Sequence, residues 1–183
     1  MRLRKFKFKK VNSTNNTAIR IIKNSNIKLG MIIADSQLAG KGQYGKKWIS
    51  YKGNVFVSFF YELKNINLSI SKLTKINCIL VKKLLTSYYK KKIIFKKPND
   101  LLIPKKKISG ILQETISFFD NKFLIVGIGI NIIKSPKIKN YPTTNLNDLT
   151  NKCFNKSEIE NKLKLIFETN FSKMYKTSKR LIK

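Results

Sequence analysis

The stretch from Gly40 to Trp48 constrains the fold of this chain more than any other part of the sequence. It reads GKGQYGKKW, and its first six residues fit the pattern G-x-G-x-x-G, which opens a helix in dinucleotide-binding folds. Here the glycines lead instead to Gly53-Asn54 and then to Val55 to Tyr61, which is rich in β-branched and aromatic residues. That composition predicts a strand. We therefore expect a cationic, glycine-rich loop between two strands, which suits an anionic ligand bound by backbone N–H groups.

The length and charge of the chain restrict its class. With 183 residues it is long enough for one domain with a substantial core. The net charge of +30 favours nucleic acid as a partner, but only four of the 39 basic residues are arginine. Arginine is the preferred residue for bidentate phosphate and base contacts. Because lysine, asparagine and isoleucine are all abundant, as in proteins from AT-rich genomes, the charge indicates compositional drift more than dedicated nucleic-acid binding.

Residue types that are rare or missing exclude several kinds of chemistry. The sequence has no histidine, which excludes Ser-His-Asp and Cys-His catalysis and every histidine-ligated metal site. Cys78 and Cys153 fit neither a C-x-x-C motif nor a disulfide framework, and Cys78 lies in an apolar helical pattern typical of a core. The basic N-terminus is followed by no apolar segment, and no apolar run reaches the ~18 residues of a membrane span. We expect a soluble protein of the reducing cytoplasm, with no membrane partner.

The remaining sequence combines short strand patterns with helical ones. Strands are predicted at 5–9, 29–34, 55–63, 93–95, 101–103, 108–116 and 123–133. A short helix capped near Ser13 is predicted to carry Ile19 and Ile22, and longer amphipathic helices are predicted at 70–89 and 157–175. The inward positions predicted for the longer helices are Leu73, Ile76, Ile79, Leu80, Leu84, Tyr88, Ile159, Leu163, Ile166 and Phe167. A loop is predicted from Tyr141 to Leu149. The fold class is α+β, a single domain with a mixed β-sheet and helices packed against it.

Five short motifs follow one another along the chain. They read Ser13-Thr14-Asn15, then QLAGKGQYGKKWIS from Gln37 to Ser50, then KKPND from Lys96 to Asp100, then KISGILQE from Lys107 to Glu114, then GIGIN from Gly127 to Asn131. In this order and at this spacing they resemble the catalytic domain of bacterial biotin protein ligases. The resemblance runs from about Ser13 to the loop near Asn147.

The resemblance implies a two-step ligase. Biotin and MgATP form biotinyl-5′-AMP, and a lysine of the biotin carboxyl carrier protein then accepts the biotinyl group. It also implies that residues 1–183 form the catalytic domain alone, without the family's N-terminal winged-helix domain or C-terminal barrel, so no DNA-binding role is expected. ATP and Mg²⁺ are the implied cofactors, and the sequence leaves monomer and homodimer equally open.

The resemblance also assigns site residues by position in the motifs. Lys96 is the implied catalytic residue, because a fixed cation stabilises the negative charge that collects in both steps. The implied biotin-binding residues are Ser13, Thr14, Asn15, Gln37, Lys41, Gly42, Gln43 and Lys96. The implied nucleotide-binding residues are Gly40, Trp48, Gly127, Gly129 and Asn131, with the two glycines of the last motif leaving room for ligand against the sheet.

Some of these residues keep a second interpretation. Ser13 also suits a helix N-cap, Thr14 and Asn15 also suit a turn, and Trp48 also suits a plain core position. Asp100 and Glu114 are candidates for magnesium or for turn structure, and no metal ligand is assigned.

The chain departs from the family pattern at three places, and two other functions compete with the ligase. Lys41 and Gln43 stand where the family usually has arginine, and Lys97 stands where it usually has tryptophan. A lipoate or octanoate ligase would share the fold, but its arginine-rich, triple-glycine loop is absent. A basic nucleic-acid-binding module is the rival from another class, and a degenerate, inactive binding domain is a further alternative.

Overall fold

The computed structural model describes residues 3–64, 66 and 68–180, with side chains through Tyr175. Residues 1, 2, 65, 67 and 181–183 of the predicted domain lie outside this part. A seven-stranded sheet runs in the order β1-β2-β3-β7-β6-β5-β4. Its strands are β1 Arg4–Val11, β2 Leu29–Gln37, β3 Val55–Glu62, β4 Ile94–Lys96, β5 Asp100–Ile103, β6 Lys106–Phe118 and β7 Asn121–Ile130. The helices are α1 Thr14–Asn24, α2 Ile70–Thr86, α3 Leu146–Thr150 and α4 Lys156–Arg180. Only β1 and β2 pair in parallel among these strands, so the sheet is mixed, as predicted.

Helices cover both faces of the sheet, unequally. The larger core lies between the sheet and helices α2 and α4, where Phe59 stacks on Phe167 with ring centroids 4.0 Å apart. On the other face, α1 packs Ala18 and Ile22 against apolar residues of β2, β3 and β7. Because α1 is short, this second face of the sheet is only partly covered by helix. The exposed remainder is where a ligand has access to the strands.

Two predictions about the helices are wrong in detail. Helix α2 ends at Thr86, and Ile79 is 53% exposed, because the stripe facing the core runs through Leu73, Asn77 and Val81 on the opposite side of the helix. The predicted loop at 141–149 contains the start of α3, where the Asn145 side chain accepts a hydrogen bond from the Asp148 amide and caps the helix.

The other predicted elements are confirmed. Strand β1 is an edge strand, and the inward residues expected in α4 face the core. Cys78 is buried, and burial raises the pKa of its thiol to about 12. No helix in the described ranges is both long and apolar enough to cross a membrane.

The glycine-rich segment joins β2 to β3, so it is a loop between strands as predicted. It folds over the face of the sheet that carries α1. There β6 and β7 place Gly110 beside Gly129 and Leu112 beside Gly127. The small residues leave a hollow over the sheet next to the first turn of α1, and this hollow is the candidate site.

Candidate active site

A cavity of about 570 Å³ lies over these strands, within the size range of small-molecule sites. It is lined by residues from all five motifs: Ser13, Thr14, Asn15, Gln37, Lys41, Gly42, Gln43, Trp48, Lys96, Lys107, Gly110, Gly127, Gly129 and Asn131. Gly40 is the one predicted site residue that does not line it. Its carbonyl accepts from the Trp48 amide at 2.8 Å, and a Cβ on Gly40 would meet the Trp48 carbonyl at 2.5 Å. Gly40 therefore closes the loop, because its lack of a side chain lets its backbone pass close to that of Trp48.

The first turn of α1 is tied to the end of β2. The Gln37 side-chain oxygen accepts from the Thr14 amide at 2.8 Å and from the Thr14 hydroxyl at 3.1 Å. The Gln37 amide nitrogen donates to Ser50 Oγ at 3.1 Å. Ser13 occupies the N-cap, yet its side chain makes no capping bond to the described backbone of α1. Gln37 thus shapes the pocket, while the Ser13 hydroxyl is left for the cavity.

Asn15 belongs to a buried polar chain below the cavity. Its amide nitrogen donates to Glu114 at 2.6 Å, and its oxygen accepts from Ser58 Oγ at 2.5 Å. Its side chain occupies the space over Gly127, where a Cβ would collide with it. The room left by Gly127 is therefore filled by a protein side chain, although the glycine still borders the cavity.

The glycine-rich loop is held by its own backbone and by one ion pair. Gly42 N donates to the Lys46 carbonyl at 2.6 Å, and Lys46 N donates to the Gln43 carbonyl at 3.1 Å. Tyr44, at the tip, is 90% exposed with a left-handed φ of 53°. Lys41 lies 3.5 Å from Glu114, which links the loop to β6. The loop thus forms a small cationic lid along one side of the cavity.

Trp48 is half-buried and belongs to neither apolar core, so it is not the plain core residue that the sequence left open. Its indole packs on the sheet at Gly129, where a Cβ would collide with it, and the same ring forms a wall of the cavity. Its Nε1 is buried and has no hydrogen-bond partner among the described residues. A flat aromatic wall with an unused donor suits a planar, polar ring.

The cation most enclosed by the cavity is Lys107. Its side chain is 19% exposed, and its Nζ lies 2.8 Å from Asp100 and 5.4 Å from the centre of the Trp48 ring. Lys96, the predicted catalytic residue, also lines the cavity but lies exposed at its rim. The sequence placed Lys107 in a motif without assigning it a role, since nothing in the motif indicates how deeply a lysine is buried.

Tyr141 is the second site residue that the sequence did not predict. It reaches the cavity from the loop after β7, and its hydroxyl donates to Asp100 at 2.5 Å. Burial raises the pKa of this hydroxyl, and the hydrogen bond to Asp100 adds to the effect. No motif marks this residue, so only the fold brings it to the site.

Asn131 supports the far wall of the cavity. It is 1% exposed, and its amide nitrogen donates to the Thr144 carbonyl at 3.1 Å. Its side-chain oxygen is buried and accepts no hydrogen bond from any described residue. That oxygen is available to a donor on a ligand.

The carboxylates considered for magnesium are both engaged by the protein. Asp100 is held by Lys107 and Tyr141, and Glu114 by Asn15 and Lys41. The described part of the chain contains no group of three or more histidine, cysteine, aspartate or glutamate side chains that could hold a metal ion. This donor set does not fit a resident magnesium site, and it gives both carboxylates a structural role.

Comparison with known proteins identifies the family. Residues 7–131 match the sequence model of the biotin/lipoate A/B protein ligase family. The chain belongs to this family. It is 33% identical over 102 residues to the bifunctional ligase/repressor BirA of Escherichia coli, which covers 55% of this chain and 32% of that protein. It is 31% identical over 128 residues to BirA of Bacillus subtilis, which covers 69% of this chain and 39% of that protein. This member of the biotin/lipoate family thus spans about a third of the length of these curated relatives.

Solved structures of the same family share the fold. The Aquifex aeolicus biotin protein ligase in complex with biotin and ATP is 30% identical with a TM-score of 0.77, covering 93% of this chain and 71% of that one. The Leishmania major biotin protein ligase in complex with biotinyl-5-AMP has a TM-score of 0.76 at 22% identity, covering 97% of this chain and 80% of that one. At that identity the second likeness concerns the fold alone.

Proposed function

We propose that this chain is an ATP-dependent biotin–protein ligase. It activates biotin as biotinyl-5′-AMP and transfers the biotinyl group to a lysine of the biotin carboxyl carrier protein. The observation that most strongly supports this is that motifs spread along the sequence from Ser13 to Asn131 line a single cavity. Both ligands named for the Aquifex aeolicus relative would need such a cavity, with apolar walls, polar ends and fixed cations.

Biotin binds at the α1 end of the cavity in this proposal. The ureido ring requires donors and acceptors in a mostly apolar setting, and the Ser13 hydroxyl lies there. Gln37 and Asn15 contribute indirectly, because the amide of Gln37 is already occupied by Thr14 and Ser50 and that of Asn15 by Glu114 and Ser58. The adenine lies against Trp48, near the unused acceptor of Asn131.

The lysines stabilise the developing charge of the first step. The biotin carboxylate attacks the α-phosphorus of ATP, the bond to the bridging oxygen breaks, and pyrophosphate leaves with its magnesium, which enters as part of the substrate. A cation acts more strongly where water is excluded, so Lys107 is the better candidate for the central charge and Lys96 for an auxiliary one at the rim. This refines the expectation that rested on Lys96 alone.

The second step requires only an acceptor amine at the cavity mouth. The neutral amine of the carrier lysine attacks the acyl carbon and gives up a proton to solvent, and AMP leaves carrying the electron pair of the broken anhydride bond. The same cations stabilise the departing phosphate. Both cysteines, Cys78 and Cys153, are unpaired, which agrees with a reaction in the reducing cytoplasm.

A lipoate ligase remains the nearest alternative. The putative lipoate protein ligase Ta0514 of T. acidophilum has a TM-score of 0.67 at 12% identity, so the fold does not separate the two activities. The loop sequence Gly40-Lys41-Gly42-Gln43 favours biotin. Labelled biotin and labelled lipoate, offered separately with ATP and carrier domains, distinguish them. We expect incorporation of biotin only.

The proposal is tested by biotin-dependent ATP–pyrophosphate exchange. Lys107→Met is expected to lower the exchange rate by about 10²-fold or more, and Lys96→Met by about ten-fold. Lys134→Met is the matched control, because Lys134 also lies over an aromatic ring, at 4.8 Å from that of Tyr51, but does not line the cavity. Wild-type exchange that is independent of biotin would contradict the proposal. Normal exchange in folded Lys107→Met and Lys96→Met proteins would contradict the residue assignment.

A further inference from the structure

A cluster of four side chains at the cavity brings two lysines, Lys96 and Lys107, together with Tyr141 and Asp100. Lys96 and Lys107 place their Nζ atoms 4.6 Å and 5.5 Å from the centre of the Tyr141 ring. Asp100 is the only carboxylate among the described residues that contacts this group, and it lies 2.8 Å from Lys107 Nζ. Two cations near one carboxylate repel one another, so their positions need additional support.

Tyr141 supplies that support from two sides. The face of an aromatic ring attracts cations, and Tyr141 offers it to both ammonium groups. Its hydroxyl is fixed by the 2.5 Å hydrogen bond to Asp100, which prevents the ring from turning away. The ring is therefore held at one end by the carboxylate that also holds Lys107.

The backbone beside Tyr141 is fixed to the same strand. Lys107 N donates to the Pro142 carbonyl at 2.8 Å, and Thr144 N donates to the Lys107 carbonyl at 2.9 Å. The loop after β7 and the start of β6 thus form a short ladder, with Tyr141 at its end. A residue so tied places its ring reproducibly over the lysines.

We propose that Tyr141 is a positioning residue that holds the ammonium groups of Lys96 and Lys107 toward the reacting phosphate. This inference rests on the proposed ligase function and adds a residue to it. Tyr141 acts through the lysines and not on the substrate, so its loss should lower turnover much more than substrate binding. The ring, more than the hydroxyl, is the part that matters for Lys96, which pairs with Asp100 across β4 and β5 but whose ammonium makes no ion pair with that carboxylate among the described residues.

The kinetic test compares Tyr141→Leu with Tyr141→Phe. Tyr141→Leu is expected to lower kcat for biotin-dependent pyrophosphate exchange by about ten-fold, since small displacements of catalytic groups are costly, with biotin KM within about two-fold of wild type. Tyr141→Phe keeps the ring and should retain at least about half of kcat. Tyr51→Leu is the control, because it removes an equivalent lysine–ring contact outside the cavity.

A second readout does not depend on activity. Brief acetylation with limiting acetic anhydride, followed by mass spectrometry, measures the exposure of each lysine amine. Tyr141→Leu should raise the labelling rate of Lys96 about three-fold, whereas Tyr141→Phe and Tyr51→Leu should leave it unchanged. Unchanged Lys96 labelling, or unchanged kcat in Tyr141→Leu, overturns this inference alone. Absence of biotin-dependent exchange in the wild-type chain contradicts the proposed function and this inference with it.

Discussion

The Asn15 amide donates a 2.6 Å hydrogen bond to Glu114 and thereby joins the first turn of α1 to the middle of β6. Asn15 is 2% exposed, so its amide has no access to solvent as a substitute partner. Glu114 also pairs with Lys41 at 3.5 Å, but that pair is partly exposed and contributes less. Glu114 therefore connects the buried floor of the cavity to the glycine-rich loop.

Removing the Glu114 acceptor should destabilise the fold more than removing its charge. Glu114→Ala leaves a buried donor unpaired and should lower the free energy of unfolding by about 1–3 kcal/mol. Glu114→Gln retains an acceptor for Asn15 and should cost less than about 1 kcal/mol. Urea denaturation measures both, with Thr115→Ala at the exposed neighbouring position as control. Equal losses in the two variants would show that the charge, not the hydrogen bond, is what matters.

The two glycines of β7 should affect different substrates. A Cβ on Gly129 collides with Trp48, whereas one on Gly127 collides with Asn15. We expect Gly129→Ala to raise KM for ATP by about ten-fold and Gly127→Ala to raise KM for biotin by a similar factor, as forced repacking costs ~1–3 kcal/mol. Steady-state pyrophosphate exchange, measured with ATP and then with biotin as the varied substrate, gives both KM values. If each variant changes both constants equally, the division of the cavity into two ends is wrong.

Gln43 should make the chain release its intermediate faster than an arginine at that position would. Glutamine has no charge, while arginine offers a permanent charge and a fork of donors. One charge-assisted contact is worth about 1.5–3 kcal/mol, so Gln43→Arg should slow release of biotinyl-5′-AMP by about ten-fold or more. Release is measured without carrier protein, and Tyr44→Arg, at the exposed loop tip, is the control. Release that is no slower in Gln43→Arg would mean that another group closes the loop.

The net charge of +30 should speed encounter with an acidic carrier domain. Such attraction acts over about 10 Å at 0.1 M salt and is screened as salt increases. The rate of transfer to the carrier should therefore fall between 10 mM and physiological ionic strength, while pyrophosphate exchange, which needs no carrier, serves as the control. A flat dependence of transfer on salt would leave the charge as compositional drift.

Asp35 should contribute to stability at neutral pH and not in acid. The hydrogen bond from Lys156 lowers the pKa of Asp35 below its usual value of 3.8. The unfolded chain then binds more protons than the folded one near that pH, so the contribution is present above about pH 4 and is lost as pH falls. Asp35→Asn should cost about 1 kcal/mol or less at pH 7, because the pair is partly exposed, and less as the pH is lowered toward 2. Urea denaturation at pH 7 and pH 2 measures the free energy of unfolding of this variant, and Asp120→Asn is the control. A constant cost at both pH values would contradict it.

Local patterns predicted much of this architecture, and long-range contacts explain what they did not predict. Strand periodicity and turn residues located the sheet and the loop between β2 and β3, because those signals lie within a few neighbouring residues. The enclosure of Lys107 depends on rings from two distant segments, and Tyr141 meets Asp100 across 41 residues of sequence. Neither contact leaves a local pattern. Ile79 was misassigned because an apolar side chain alone does not show which side of a helix faces the sheet.

The parallel pairing of β1 with β2 determines where two distant segments meet. Both strands run in the same direction with Val11 opposite Gln37, so the chain leaves both strands at the same end. The amides of Leu38 and Ala39 then bond to the carbonyls of Val11 and Asn12. If β1 and β2 were antiparallel, like the other strand pairs, the ends at which the chain leaves them would lie about 26 Å apart, which is the length of the eight residues of β1. Reversing the direction of one strand would therefore separate the two segments that meet at the cavity, although every side chain would stay the same.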